Sequence, residues 1–338
     1  MDKSKLQRTA QALVVPGKGI LAADESFPTI KKRFESIGLE STEENRRAYR
    51  EILFATQGIE KFISGVILFD ETVYQKTENG RLFPQVLAEK GIIPGIKVDE
   101  GKEPFEGSAK EMITKGIEDL PKRLSEYQKQ GMKFTKWRAV FTISEGLPTK
   151  KLIEKNAQLL SRFAVLSQEA GLVPIVEPEV LMDGEHDIDR CEEVTKTVLA
   201  NVFSEIEKQN VSLEGLLLKP NMVVSGKNNI KKATPAQLAE ATLRTLTKTV
   251  PERIPGIVFL SGGQSPEEAT TNLNAINSKG GYPWELSFSF GRALQKPSLL
   301  AWKGKPENVT MAQEAFYKRA KLNSLARYDK YKPEMENS

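Results

Sequence analysis

Short apolar runs recur along the chain, each bounded by Gly, Pro or charge: residues 19–24, 62–70, 92–99, Phe134–Phe141, 173–179, 215–219, 256–262 and 286–292. They are continuously apolar rather than alternating, which predicts strands covered on both faces. Helix-like segments lie between them, at 42–58, 107–130, 149–170, 187–208, 234–249 and 265–277. Two carry start signals. Ser41-Thr42-Glu43-Glu44 reads as a capping region, and Ser265 is followed by Pro266-Glu267-Glu268, a cap, an N1 proline and first-turn acids.

Strand alternating with helix eight times in 338 residues predicts an α/β fold, a (β/α)8 TIM barrel in one domain. Its core runs from about 19 to 302, with extra helices at the N- and C-terminal ends. Residues 309–328 read as an added helix and 333–338 as a frayed tail. An open doubly wound sheet shares the alternation. The chain has neither a GxGxxG after its first strand nor a Walker loop, which removes the commonest reasons to choose that sheet.

In a barrel the chemistry collects at the C-terminal ends of strands. Most of the runs end in polar groups there: Asp24, Lys97, Glu177 with Glu179, Lys219, Ser261-Gly262-Gly263 and Arg292. Strand residues two apart share a face, so Glu177 and Glu179 point the same way, as do Lys136 and Arg138. A charge at a strand end often marks only where the chain meets water; the weight rests on so many strands doing it together. Phe134–Phe141 resists the pattern, because its charges precede apolar residues. Either that strand stops near Arg138, or Lys136 and Arg138 sit deeper in the barrel.

Lys219 closes Gly215-Leu216-Leu217-Leu218. Aliphatic surroundings and neighbouring cations disfavour its ammonium and free the amine to attack a carbonyl; the competing reading is a snorkelling surface lysine. Ser261-Gly262-Gly263-Gln264-Ser265-Pro266 is a Gly-rich turn before a helix, the kind of place where backbone N–H groups hold an anion. Arg292, after Gly291, could close on the same phosphate from the next strand.

Composition narrows the chemistry. Hydrophobic residues make up 39% and charged residues 28% of the chain, the balance of a soluble globular protein. A net charge of +4, without basic runs, suits anionic small-molecule substrates and not nucleic acid. One histidine, His186, and one cysteine, Cys191, cannot make the usual zinc cluster, although a carboxylate Mg²⁺ site stays open. No metal and no cofactor is expected. A lone cysteine allows no internal disulfide, and no signal core or membrane span is present. A cytoplasmic protein, or a mature organellar form, is expected.

Motifs spread over nearly the whole chain resemble the class I fructose-bisphosphate aldolases. They are Lys18-Gly19-Ile20-Leu21-Ala22-Ala23-Asp24-Glu25-Ser26, Thr42-Glu43-Glu44-Asn45-Arg46-Arg47, Lys136-Trp137-Arg138 and Val176-Glu177-Pro178-Glu179. Further on come His186-Asp187-Ile188, Leu217-Leu218-Lys219-Pro220-Asn221-Met222, Phe259-Leu260-Ser261-Gly262-Gly263-Gln264 and Phe290-Gly291-Arg292-Ala293-Leu294-Gln295. The resemblance implies reversible, metal-independent cleavage of fructose 1,6-bisphosphate through a Schiff base on Lys219, as in glycolysis and gluconeogenesis. It implies Glu177 as the general acid/base, Asp24 as the base at the C4 hydroxyl, Lys136 as a charge-stabilising lysine and Glu179 as the acid beside it. Arg138 matches a substrate-positioning residue. Ser261, Gly262, Gly263, Gly291 and Arg292 match one phosphate site, and Ser26, Arg33 and Lys97 the other. A homotetramer is the family's common assembly.

Two departures from the family pattern stand out. Phe27-Pro28-Thr29 stands where members often have Thr-Gly-Ser, and the chain closes Pro333-Glu334-Met335-Glu336-Asn337-Ser338 without the terminal tyrosine of familiar animal members. The group that exchanges the C3 proton is therefore open. Competing readings are a phosphosugar-binding scaffold, a zinc-dependent aldolase, and a Schiff-base aldolase or transaldolase acting on a monophosphate. Sedoheptulose 1,7-bisphosphate remains a possible substrate beside the fructose compound.

Overall fold

The strands of the computed structural model, which describes residues 2–337, are β1 (Gly19–Ala23), β2 (Ile63–Leu68), β3 (Ile93–Lys97), β4 (Lys102–Pro104), β5 (Met112–Thr114), β6 (Phe134–Phe141), β7 (Val173–Val180), β8 (Leu217–Leu218), β9 (Gly256–Phe259) and β10 (Glu285–Phe290). Eight of them close a parallel barrel in the order β1-β2-β3-β6-β7-β8-β9-β10, with β10 returning to β1. This is the expected (β/α)8 architecture. β4 and β5 form a separate antiparallel hairpin.

The apolar runs are continuous because each strand is covered twice. Alternate residues enter two different buried clusters. Ile20, Ala22, Ile67, Phe134, Val173, Ile175, Leu217 and Val258 fill the barrel interior. Leu21, Ala23, Val66, Leu68, Trp137, Phe141, Val176, Leu218, Phe259, Phe288 and Phe290 face outward and pack beneath the helices.

The N-terminal helix, Lys3–Leu13, seals the lower end of the barrel. Its Leu6, Ala10 and Leu13, with Val14, join the interior cluster. Three glycines make room for this segment, the first being Gly215, where a Cβ would lie 2.8 Å from Leu6. A Cβ on Gly65 would lie 2.6 Å from Leu13, and one on Gly256 would lie 2.7 Å from Val14.

Several helices begin where the sequence signals place them: Glu43–Ala55, Lys150–Glu169, Ile188–Lys208, Pro235–Thr249 and Pro266–Asn277. The long helix expected over 107–130 does not form. Met112–Thr114 pairs with Lys102–Pro104 instead, and Thr114 donates from its hydroxyl to the Arg138 carbonyl. Only Leu120–Lys129 is helical, starting at Leu120-Pro121. The short helices Phe27–Glu35, Asp70–Tyr74 and Phe83–Glu89 also escaped the sequence pattern.

The tail is not frayed over the described residues. Pro333–Asn337 makes a 3-10 turn whose Glu336 carboxylate accepts two bonds from the buried Arg319, at 2.5 and 2.6 Å. Tyr331 donates to the same carboxylate at 2.8 Å. Ser338 lies outside the described residues. No described helix is long and apolar enough to cross a membrane.

Candidate active site

The interior parity that puts Ile175 inside the barrel carries Glu177 and Glu179 inward at its mouth. On β6 the same parity takes Phe134 to Lys136 and Arg138. That strand does not stop at Arg138. It pairs with β7 as far as Phe141, and Lys136 sits deep, opposite Lys97 on one side and Ile175 on the other.

Four side chains then form a line of alternating charge. The Lys136 ammonium lies 2.6 Å from Asp24 Oδ2 and 3.1 Å from Glu177 Oε2. The other Glu177 oxygen, Oε1, lies 3.3 Å from Lys219 Nζ. Lys136, Glu177 and Lys219 are buried and Asp24 is nearly so.

Burial penalises the charges of Asp24, Glu177 and Lys136, so the sign of each shift shows which influence wins. Burial alone would raise the Asp24 carboxyl, yet Lys136, with Lys219 behind it, holds it well below the ordinary carboxylate range. Glu177 is likewise held low against its burial, by Lys136, then Lys219 and Arg138. Burial opposes the Lys136 charge, but Asp24 and then Glu177 push that ammonium above the ordinary lysine value. Lys136 is a fixed cation whose charge is committed to the two carboxylates. The group that faces Lys219 is Glu177, and a carboxylate there can take a proton from the amine as well as give one.

Glu179 sits apart from this line. It pairs with Arg138, which is partly exposed, and a Cβ on Gly262 would come within 3.4 Å of it. Glu179 therefore orients Arg138 at the mouth and is not in the contact chain of Lys219.

The Gly-rich turn is less open than its sequence suggests. The Pro266–Asn277 helix closes its own first turn with a capping box. Ser265 Oγ accepts from the Glu268 N–H, and the Glu268 carboxylate accepts from the Ser265 N–H at 2.7 Å. With Glu267 and Glu268 in its first turn, that helix start is not an anion site. The open helix start is one strand further on. Gly291 caps Arg292–Trp302 with no side chain across the end and no acid in the first turn. Ser261 and Gly262 follow β9, which pairs with β10, the strand that leads into Gly291. Gly263, at φ +83°, turns against Met182, where a Cβ would meet the sulfur at 2.8 Å.

A cleft of ≈ 830 Å³ is lined by Ser26, Thr29, Lys97 and Arg138, together with Asp99, Glu100 and Asp119. Ser26 and Thr29 join their hydroxyls at 3.1 Å. Lys97 is turned onto Asp99, with its ammonium 2.6 Å from both the carboxylate and the backbone carbonyl. Arg33 does not belong with this group. Its guanidinium pairs with Glu25 and lies 3.7 Å from where a Gly291 Cβ would be, beside the open helix start.

The sequence reading missed Ser289. Its hydroxyl is buried and has no partner. Followed round the barrel, the ladder registers bring Ile67, Lys136, Lys219 and Ser289 into one interior layer, drawn from alternate strands. Its position two residues before Gly291 was the available signal.

Comparison with known proteins gives one consistent result. Residues 5–338 match the family model described as fructose-bisphosphate aldolase class-I. A probable fructose-bisphosphate aldolase class 1 of Xanthomonas campestris pv. campestris is 52% identical over 333 residues, covering 98% of this chain and 100% of that one. Cytosolic fructose-bisphosphate aldolase 4 of Arabidopsis thaliana is 53% identical over 97% of this chain and 84% of its own length. A solved fructose-bisphosphate aldolase of Plasmodium falciparum, in complex with TRAP and a small-molecule inhibitor, superposes with a TM-score of 0.96. It is 52% identical over 98% of this chain and 96% of that chain.

Proposed function

Since this chain belongs to the class-I fructose-bisphosphate aldolase family, we propose that the Schiff base of its reaction forms on Lys219. The reaction is the reversible cleavage of fructose 1,6-bisphosphate to dihydroxyacetone phosphate and glyceraldehyde 3-phosphate. The observation that carries the assignment is the placement of Glu177, 3.3 Å from Lys219 and in ion contact with Lys136.

Lys219, as the neutral amine, adds to the C2 carbonyl. Glu177 takes the proton released at nitrogen and returns one to the C2 oxygen, which leaves as water. The iminium that results withdraws electrons from C3. Asp24 accepts the C4 hydroxyl proton, C4 becomes a carbonyl, and the C3–C4 electron pair moves into the iminium to give an enamine. Protonation at C3 and hydrolysis release the second product and the free lysine. Asp24 is free to accept that proton because Lys136 keeps it ionised. Lys136 also compensates the charge that moves between Asp24 and Glu177.

The two phosphates take different ends. The C1 phosphate is one carbon from C2, so it falls beside β8, on Ser261, Gly262, Gly291 and Arg292, with Arg33 near. The C6 phosphate reaches Ser26, Thr29 and Lys97 in the cleft. We place the enzyme in the cytosol, the compartment named for its Arabidopsis relative, and in a homotetramer, which sedimentation would measure.

Borohydride reduction with dihydroxyacetone phosphate tests the central assignment. The wild type gains a covalent adduct on Lys219, and turnover persists in EDTA. A Lys219→Ala enzyme that still cleaved substrate at the wild-type rate would end the proposal.

A further inference from the structure

The carboxamide of Gln295 straddles Asp24. Its Nε2 donates at 2.6 Å to the Ala22 carbonyl and at 2.7 Å to the Glu25 carboxylate, the groups on either side of the Ala23-Asp24 pair. Gln295 lies in the first turn of the Arg292–Trp302 helix, whose open start receives the C1 phosphate in the reading above. Three further contacts stiffen the joint. Tyr49 donates its hydroxyl to the Gln295 carbonyl, and Glu25 is gripped by both Arg33 and the buried Arg50. Gly291 itself packs on Ala22, with room for no more than a 3.3 Å approach of a Cβ to the Ala22 carbonyl.

Gln295 is buried, and its Oε1 has no hydrogen-bond partner. An amide used only as packing would leave an unsatisfied oxygen for no return, since a methionine fills similar volume without one. The two donated bonds are therefore the feature to explain.

We propose that Gln295 is a positioning residue that fixes Asp24 relative to the C1-phosphate cradle. The inference rests on Asp24 being the C4-hydroxyl base. The substrate is held by its phosphate at one end of this joint and deprotonated by the carboxylate at the other, so one amide sets the distance between them. A base moved by a fraction of its hydrogen-bond length loses catalysis without losing binding.

The test uses two reactions of the same active site. Cleavage of fructose 1,6-bisphosphate needs the C4 base. Exchange of the C3 proton of bound dihydroxyacetone phosphate needs the Lys219 imine but has no C4 hydroxyl to deprotonate. Gln295→Met should lower kcat for cleavage roughly 10- to 100-fold, with KM and C3-proton exchange little changed. Gln295→Asn keeps the amide one methylene short and should show the same split, so it decides the matter if the methionine variant does not fold. Cleavage and exchange falling together, or KM rising in place of the kcat loss, would overturn the positioning role, as would wild-type cleavage. Asp24→Asn is assayed alongside. If it cleaves normally, the assignment of Asp24 fails; if it is inactive in cleavage while Gln295→Met is unaffected, only the role of Gln295 fails.

Discussion

Lys136 reaches across the barrel mouth to hold Asp24, with its ammonium 2.6 Å from the carboxylate. Lys136 stands on β6 and Asp24 follows β1, which are not neighbours in the barrel. The pair therefore ties two sides of the mouth together as well as setting the protonation of the base.

Removing that cation should cost both stability and activity. Lys136→Met leaves Asp24 and Glu177 as buried carboxylates without their shared partner. Breaking a buried pair from one side typically costs about 3–5 kcal/mol. Urea unfolding should show a loss of that order, and turnover should be absent. A methionine variant as stable as the wild type would show that the carboxylates are solvated in another way.

Glu177→Gln removes the proton carrier while keeping shape and hydrogen-bonding capacity. A positioned acid/base contributes about 10²- to 10⁴-fold, and kcat should fall by that order. Adduct formation on Lys219 should slow with it, because carbinolamine dehydration uses the same carboxylate. Rapid-quench trapping with borohydride measures that step; an unchanged trapping rate would move the acid/base role elsewhere.

The same triad fixes how stability depends on pH. Asp24 and Glu177 are held below their ordinary values of 3.8 and 4.5. What they contribute is fully present above those values and is lost as pH falls below them. Lys136 is held above its ordinary 10.5, so its contribution is present below that value and is lost as pH rises beyond it. Thermal unfolding should show little dependence on this triad between pH 5 and 10, about the interval those values bound. A midpoint that dropped steeply within that interval, and did so less in Lys136→Met, would contradict the ion-pair account.

The fold was legible where one period dominated. The helices Lys150–Glu169 and Ile188–Lys208 fall close to the limits read from the sequence, because their apolar repeats are long. The segment 107–130 misled because its hairpin holds by pairing with residues 102–104, a partner that periodicity does not display. At the site, strand ends with charges announced Asp24, Glu177 and Lys219. The depth of Lys136 followed only from the register of β6 on β7. The family resemblance grouped Arg33 with Ser26, but about two helix turns separate them and Glu25 draws the guanidinium toward Gly291. Gln295 and Ser289 look like filler in an apolar stretch until the barrel closes.

Pro28 bears on the second phosphate. Ser26 caps the Phe27–Glu35 helix without a side-chain bond across its end, and Pro28 removes one N–H from that end. Pro28→Gly restores the donor. KM for fructose 1,6-bisphosphate should drop roughly five-fold, on the order of 1 kcal/mol. KM for fructose 1-phosphate, which lacks the second phosphate, should stay the same. Equal changes for both substrates would place the C6 phosphate away from Ser26.

The packed interior of the barrel, stopped at its lower end by the N-terminal helix, leaves one doorway for two products. Leu6, Ala10 and Leu13 fill the other exit with hydrocarbon. In the proposed reaction, cleavage leaves one fragment bonded to Lys219, which rises from beside that apolar floor, and the other free above it. Departure is then a queue: the aldehyde must go before the lysine can be cleared, and in the reverse direction the ketone must be seated before the aldehyde arrives. Product-inhibition kinetics of this enzyme are thus set in part by a barrel open at one end only.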